Sequence, residues 1–200
     1  MLLSMEYECM EQYIKPLSEM TLEELWQLFP IILAEHNPEW KNFYQAEKTL
    51  LAAHFGNLIS RINHIGSTAV DGLLAKPTVD ILLEVPSGTP ADEIRSIAIK
   101  CGYMVMNENI GPDYRLDLCK GYTPLGFADK VFHLHIRCSG DWDEIVFCEY
   151  LKRNPDKARV YAALKIELQK RFKHDRDAYT AGKGDFILSC VRAARADYGK

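Results

Sequence analysis

His64-Ile65-Gly66-Ser67-Thr68, followed by Lys76-Pro77-Thr78-Val79-Asp80-Ile81-Leu82-Leu83-Glu84-Val85, decides how the chain is read. Leu58 to Ile65 has the character of a strand and ends in a Gly-Ser-Thr turn; Thr78 to Val85 has the character of a second strand. A glycine after a strand lets backbone approach a ligand closely. The hydroxyls of Ser67 and Thr68, with the amides around them, suit a phosphate or another anion, above all if a helix begins there. Alternation along the second strand puts Asp80, Leu82 and Glu84 on one face. An acid near the start of such an apolar strand is costly to bury alone, so Asp80 belongs at a cleft mouth or beside a cation or metal. The plainer alternatives are a tight turn without a ligand and an edge-strand carboxylate facing water.

Outward from this core, residues 1–20 read as a lead-in. Thr21 with Glu24 forms a capping-box signature, and Leu22, Leu25, Trp26 and Phe29 give a helical stripe that Pro30 ends. Ile31-Ile32-Leu33 reads as a short strand or extended strip. Asn37-Pro38-Glu39 opens a helix with Trp40, Phe43, Tyr44, Leu50 and Leu51 on its apolar face, closed by Gly56. Ala91 to Cys101 is a helix ended by Gly102, and strands are expected at Tyr103–Met106 and Tyr114–Leu118. Gly121–Gly126 reads as a turn region. Val131 to Arg137 is the clearest period-two run. After Gly140 the pattern turns helical: Trp142–Arg153, a second helix from Asn154-Pro155 towards Phe172, and a third from Asp175. This mixture predicts an α+β fold: residues 1–30 as an N-terminal extension with a short helix, and one domain over 31–200. Its sheet core is expected over about 58–138 and its C-terminal helices over about 141–198.

His133, His135 and Arg137 share a strand face, and two imidazoles so spaced suit one metal or one phosphate. His64 stands just before the Gly-Ser-Thr turn, so His64, Asp80 and His135 converge if their strands are adjacent. Structural, hydrogen-bonded histidines are the alternative. Lys76, Arg115, Lys120 and Arg137 lie on or beside the expected strands, and Lys165 and Lys183 in the C-terminal helices. They are candidates for an anion pocket, with surface solubility the alternative for each one.

The chain has 200 residues, 48% hydrophobic and 26% charged, with net charge −4, ordinary for a globular protein. A mildly acidic balance gives no global pull towards nucleic acid or acidic lipid. The six cysteines include no Cys-x-x-Cys pair, which argues against a zinc ribbon or thioredoxin-like site, and reduced thiols in the cytoplasm are expected. The N-terminus lacks a basic region and a long apolar run, so no signal peptide is expected. No stretch reaches about 18 uncharged apolar residues, so no membrane span is expected.

The chain resembles the GrpB family. The residues carrying the resemblance are His64 to Val70, Gly72-Leu73, Ala75-Lys76-Pro77, Asp80-Ile81, His133-Leu134-His135 and Tyr150-Leu151. Tyr161, Leu164-Lys165, Tyr179, Lys183 and Phe186-Ile187 continue it, and Trp40, Phe43 and Glu47 fit the opening helix. It spans about residues 31–190 and leaves residues 1–30 outside. The resemblance implies a nucleotidyltransferase-like mixed sheet flanked by helices. Active members of that superfamily place Gly-Ser on a helix-starting turn and two acids, spaced Asp-x-Asp/Glu, on the next strand. A third acid often stands on a later strand, and the acids hold two Mg²⁺ ions for in-line displacement. Here Asp80 fits the first acid, the second position is Leu82, and Glu84 stands roughly 7 Å farther along the strand. His133 and His135 occupy the later strand where a third acid would stand.

The expected function is therefore to bind a nucleotide or other phosphorylated small molecule, with nucleotidyl transfer as the reaction. Gly66, Ser67, Thr68, Lys76, Arg115, Lys120, Arg137, Lys165 and Lys183 are the candidate ligand-binding residues. Asp80, His64, His133 and His135 are candidate ligands of a divalent metal, Mg²⁺ or a transition metal, and Asp80 and His135 the candidate catalytic pair. Two alternatives stay open: a non-catalytic binding module that lost the second acid, and a hydrolase with a single metal.

Overall fold

A computed structural model describes residues 15–111 and 114–198. Most of the expected lead-in, the expectation of no signal peptide and Cys9 lie outside the described residues. Helix α1 (Leu22–Leu28) opens with the expected capping box: the Glu24 amide donates to Thr21 Oγ1 at 3.2 Å and the Thr21 amide to Glu24 Oε2 at 2.7 Å. Residues 31–33 do not form the expected strand: Ala34 makes a single bridge with Ala75, and the Ile31 amide donates to the Lys173 carbonyl at 2.8 Å. Asn37 Oδ1 accepts from the Glu39 amide and starts helix α2 (Glu39–Phe55). A 3₁₀ turn at Gly56–Leu58 takes up the front of the expected strand, so β1 is Arg61–Ile65.

A 3₁₀ turn over Ser67–Ala69 leads towards β2 (Val79–Val85), then α3 (Ala91–Lys100), β3 (Met104–Asn109), β4 (Arg115–Thr123) and β5 (Gly126–Cys138). The expected turn region at 121–126 is mostly strand: β4 and β5 pair up to Thr123 and Gly126, leaving a tight hairpin. The C-terminal part has four helices where three are expected: α4 (Asp143–Arg153), α5 (Pro155–Arg171), α6 (Arg176–Ala181) and α7 (Gly184–Tyr198). Gly182-Lys183-Gly184 breaks the last segment in two, because glycine weakly supports a continuing helix. Among the described residues, no helix is long and apolar enough to cross a membrane.

The five strands stand in the order β1-β2-β5-β4-β3. The pair β2–β5 is parallel and the other pairs antiparallel, so the sheet is mixed and the fold α+β. Its two faces differ in chemistry. One carries Val79, Ile81, Leu83 and Val85 from β2, Phe132, Leu134 and Ile136 from β5, and Leu116 and Leu118 from β4. These pack against Trp40, Tyr44, Leu51 and Phe55 of α2 and Ile94 and Ala98 of α3, forming the main core. The other face carries Asp80, His133, His135 and Asp117, aligned by register: Asp80 opposite His133, and Asp117 opposite His135. The C-terminal helices make their own cluster around Phe147, Leu151, Tyr161 and Val191. They do not seal the polar face but stand across a cleft from it.

Gly121 lies where the β4–β5 register shifts and has φ +89°, a region L side chains avoid. A methyl group there would also overlap the carbonyl oxygen of Lys130. Gly121→Ala should lower unfolding free energy by about 1–3 kcal/mol, read from chemical denaturation. An unchanged midpoint would show that this hairpin does not depend on the left-handed residue.

Candidate functional site

The cleft begins at Gly66. Its φ of +69° turns the chain out of β1, and a methyl group on it would overlap Asp80 Oδ2. The missing side chain is thus the space that the Asp80 carboxylate occupies. About a quarter of the Asp80 side chain (27%) stays accessible at the cleft. Burial alone would raise its pKa, but the hydrogen bond with His133 and the close His135 ring outweigh that and hold the carboxyl well below the usual range.

His133 Nδ1 lies 3.1 Å from Asp80 Oδ1, and His135 Nε2 lies 3.9 Å from the same oxygen. Each imidazole has a partner for its other nitrogen. Asp117 Oδ1 accepts from His135 Nδ1 at 2.8 Å, and Tyr122 Oη is 2.8 Å from His133 Nε2. Arg176 Nη2 donates to that same Tyr122 oxygen at 2.8 Å. Burial opposes protonation of both histidines. At His135 the two carboxylates, Asp117 and Asp80, override it and raise the pKa to about 9; at His133 burial wins and the pKa falls.

Across the cavity, which measures about 810 Å³, stand Ser67, Lys76, Lys165, Lys183 and Arg176. Lys165 donates to Ser67 Oγ at 3.0 Å and to the carbonyl of Leu74. Lys183 Nζ lies 4.5 Å from the Tyr179 ring centre and Lys165 Nζ 4.7 Å from that of Tyr161. Burial, then neighbouring cations, lowers Lys76 and Lys165 to about 7. Burial, and then Arg176 against the opposing pull of Asp80, leaves Lys183 at about 8. These four cations and Arg115 line the cavity with five acids: Asp80, Asp141, Asp143, Glu144 and Asp177. Asp141, Asp143 and Asp177 are exposed, and Asp141 and Asp143 are paired with Arg195, so the wall that holds the three lysines and Arg176 is the part that favours an anion. Arg115 lines the same cavity, its guanidinium 5.2 Å from the Trp142 ring.

The structure brings Gly66, Ser67, Thr68, Lys76, Asp80, Arg115, His133, His135, Lys165 and Lys183 to this cavity, and places three expected residues elsewhere. His64 is opposite Ile81 in the β1–β2 register, so it faces the hydrocarbon side, stacked on Tyr44 at 4.8 Å. Its Nε2 is 3.0 Å from Thr68 Oγ1, and burial lowers its pKa to about 4. It lines a second cavity, about 710 Å³, behind the turn, and does not join the Asp80 group. Lys120 is opposite Phe132, also on the core side, and is paired with Glu47 at 2.8 Å. Arg137 is buried and donates to Asp117 and to the carbonyls of Leu116 and Ile136, so it braces the sheet rather than meeting a ligand. Thr68 spends its hydroxyl proton on the carbonyl of Thr78.

Sequence reasoning missed Asp117, Tyr122 and Arg176. Asp117 carried a signal, since the alternation Arg115-Leu116-Asp117-Leu118 puts it on a polar face. Tyr122 and Arg176 carried none, because only the hairpin and the α6 start bring them to His133.

A family model described as GrpB protein matches residues 30–193. A UPF0157 protein of Pseudomonas aeruginosa is 34% identical over 161 residues, covering 80% of this chain and 66% of that protein. The crystal structure of conserved protein GrpB from Enterococcus faecalis matches with TM-score 0.73 and 28% identity over 84% of this chain and 100% of that one. The Cid1 poly(U) polymerase with Mg 3'-dATP bound gives TM-score 0.46 and 14% identity over 75% of this chain and 46% of that one.

A cation held below its free pKa costs folding energy while it stays protonated. For Lys183 the cost is full below about pH 8 and fades as pH rises towards the unfolded value of 10.5. Lys183→Met should therefore stabilise the ligand-free chain by about 1–3 kcal/mol at pH 7, with the gain shrinking between pH 8 and 10.5. Denaturation of both proteins across that range checks it; a destabilised variant would show that Lys183 is compensated in the free protein.

Proposed function

The chain belongs to the GrpB family, and from the cleft between its sheet and C-terminal helices we propose that it binds a phosphorylated ligand of nucleotide size. The observation that carries this reading is the gathering of Lys76, Lys165, Lys183 and Arg176 around one cavity, with burial and mutual repulsion lowering all three lysines. An anion entering there would relieve the repulsion. A volume of about 810 Å³ suits a nucleotide-sized molecule. Ser67 and Lys165, already hydrogen-bonded to each other, are positioned to grip one phosphate group, and Lys76, Lys183 and Arg176 to offset further charge. Tyr161, Tyr179 and Phe147 line the same cavity and offer aromatic surface to the rest of the ligand.

Nucleotidyl transfer through a magnesium pair is not supported by the donors. Leu82 is fully buried hydrocarbon where a second acid would stand. Glu84 is bound by Arg61 at 2.6 Å and by the Gly140 amide, and Asp117 by Arg137 and His135. Mg²⁺ prefers oxygen ligands, and of the strand acids Asp80, Glu84 and Asp117, the last two are held by arginines. A second reading, reaction of the bound phosphate at one metal ion, is favoured by the grouping of Asp80, His133 and His135.

Thermal melts with nucleoside triphosphates and with inorganic tripolyphosphate test the binding reading. A ligand at about a hundred times its Kd should add about 2.7 kcal/mol of stability. The effect should fall by about tenfold or more in affinity between pH 6.5 and 9, as Lys76, Lys165 and Lys183 release their protons. Lys165→Met and Arg176→Met should weaken it further at pH 7. If none of these compounds moves the melting temperature at millimolar concentration, the cleft is not a phosphate site.

A further inference from the structure

We infer that Asp80, His133 and His135 form a site for one divalent transition-metal ion of the Zn²⁺ or Mn²⁺ kind, replacing the magnesium pair that the nucleotidyltransferase resemblance implies. Each of the three residues offers one ligand atom within 4.8 Å of the other two's, and Asp80 Oδ1 lies 3.1 Å from His133 Nδ1 and 3.9 Å from His135 Nε2. An ion with bonds of about 2.0–2.2 Å holds neighbouring donors roughly 3–3.5 Å apart, so closing the group needs only small side-chain movements.

The outer hydrogen bonds select the inner nitrogens. Asp117, when ionised, can only accept, so His135 Nδ1 must carry the proton in their 2.8 Å bond. Nε2, the nitrogen facing Asp80, is then the one whose proton a metal ion would displace to gain a lone pair. Carboxylate, imidazole and metal in sequence is how proteins orient a metal-binding histidine. On the other ring, Tyr122 occupies Nε2 of His133 at 2.8 Å and leaves Nδ1 towards Asp80, while Arg176 holds Tyr122 from behind. Each ring is thus steered from outside, and both inner nitrogens face a single carboxylate oxygen.

The backbone adds rigidity. Asp80 and His133 are register partners on parallel strands, and His135 follows two residues along with Asp117 opposite it on β4. Gly66 leaves the space for the carboxylate. Two imidazoles, neutral once a metal has displaced the His135 Nε2 proton, and one carboxylate carry too little negative charge and too few oxygens for a magnesium pair, but suit a borderline ion. Three protein ligands also leave coordination positions for a further group. On the phosphate-binding reading, on which this last step rests, that group is a phosphate oxygen held between the ion and the lysines of the same cavity.

The test uses metal alone on the purified, chelator-stripped full chain. Equilibrium dialysis with Zn²⁺, Mn²⁺ and Mg²⁺, and visible spectroscopy with Co²⁺ as probe, should show one transition-metal ion per chain, not displaced by millimolar Mg²⁺. His135→Gln and Asp80→Asn should weaken binding at least a hundredfold. Asp117→Asn, which alters positioning and not a ligand, should weaken it about 10- to 100-fold and shift the Co²⁺ spectrum. His54→Gln, on the exposed side of α2, should leave it unchanged. No bound Zn²⁺, Mn²⁺ or Co²⁺ in the unmodified chain, binding indifferent to Asp80 and His135, or displacement by millimolar Mg²⁺ would each overturn the inference. Tripolyphosphate stabilisation of the metal-free chain is read separately: it can survive the loss of the metal site, and the metal site can survive its absence.

Discussion

Asp80 stands one position inside a strand whose remaining residues are all buried, and the arrangement of the cleft answers to its charge. A carboxylate in such a place needs hydrogen bonds and positive charge close by. Gly66 yields the volume, His133 supplies the nearest polar nitrogen, and His135 the next. Those two rings in turn need partners, which draws in Asp117, Tyr122 and, through Tyr122, Arg176. A single acid thus organises residues from β2, β4, β5 and α6.

On the far wall the balance is reversed. Lys76, Lys165 and Lys183 crowd with Arg176 beyond what Asp80 can neutralise, and burial has already stripped much of their hydration. Aromatic faces at Tyr161 and Tyr179 soften this without removing it. A fold selected only for stability would not keep such a cluster, since apolar residues of similar volume would hold the helices together at lower cost. On the proposed function, the unfavourable charge is affinity held ready for an anion, a trade of stability for binding.

The polar face of the sheet carries one acid and two imidazoles in place of the paired acids that the sequence resemblance implies. Where two carboxylates would share a strand, Leu82 continues the hydrocarbon, and its register partner is His135. His133 and His135 stand beside Asp80, and the remaining acids of this face are committed: Glu84 to Arg61, and Asp117 to Arg137 and His135. Membership of the GrpB family sets the scaffold, and the donor set of the cleft narrows the chemistry.

Much of this was readable in the chain. Alternation along Val79–Val85 and Val131–Cys138 put Asp80 on one strand face and His133 with His135 on another, because side-chain direction in a strand follows from local geometry. The Gly-Ser-Thr turn, the α1 capping box and the Asn37-Pro38 helix start were equally local, and each stands where the residues indicated. Strand register was not local. The pairing of His64 with Ile81 and of Lys120 with Phe132 sends both to the hydrocarbon face, and no spacing within one strand reveals that. The joining of Arg176 and Tyr122 to His133, across a hairpin and four C-terminal helices, likewise waits on how the elements pack. Local sequence determined which residues share a face of each element. The tertiary structure alone decided which faces meet, because pairing between distant segments is settled by burial of the whole apolar surface at once.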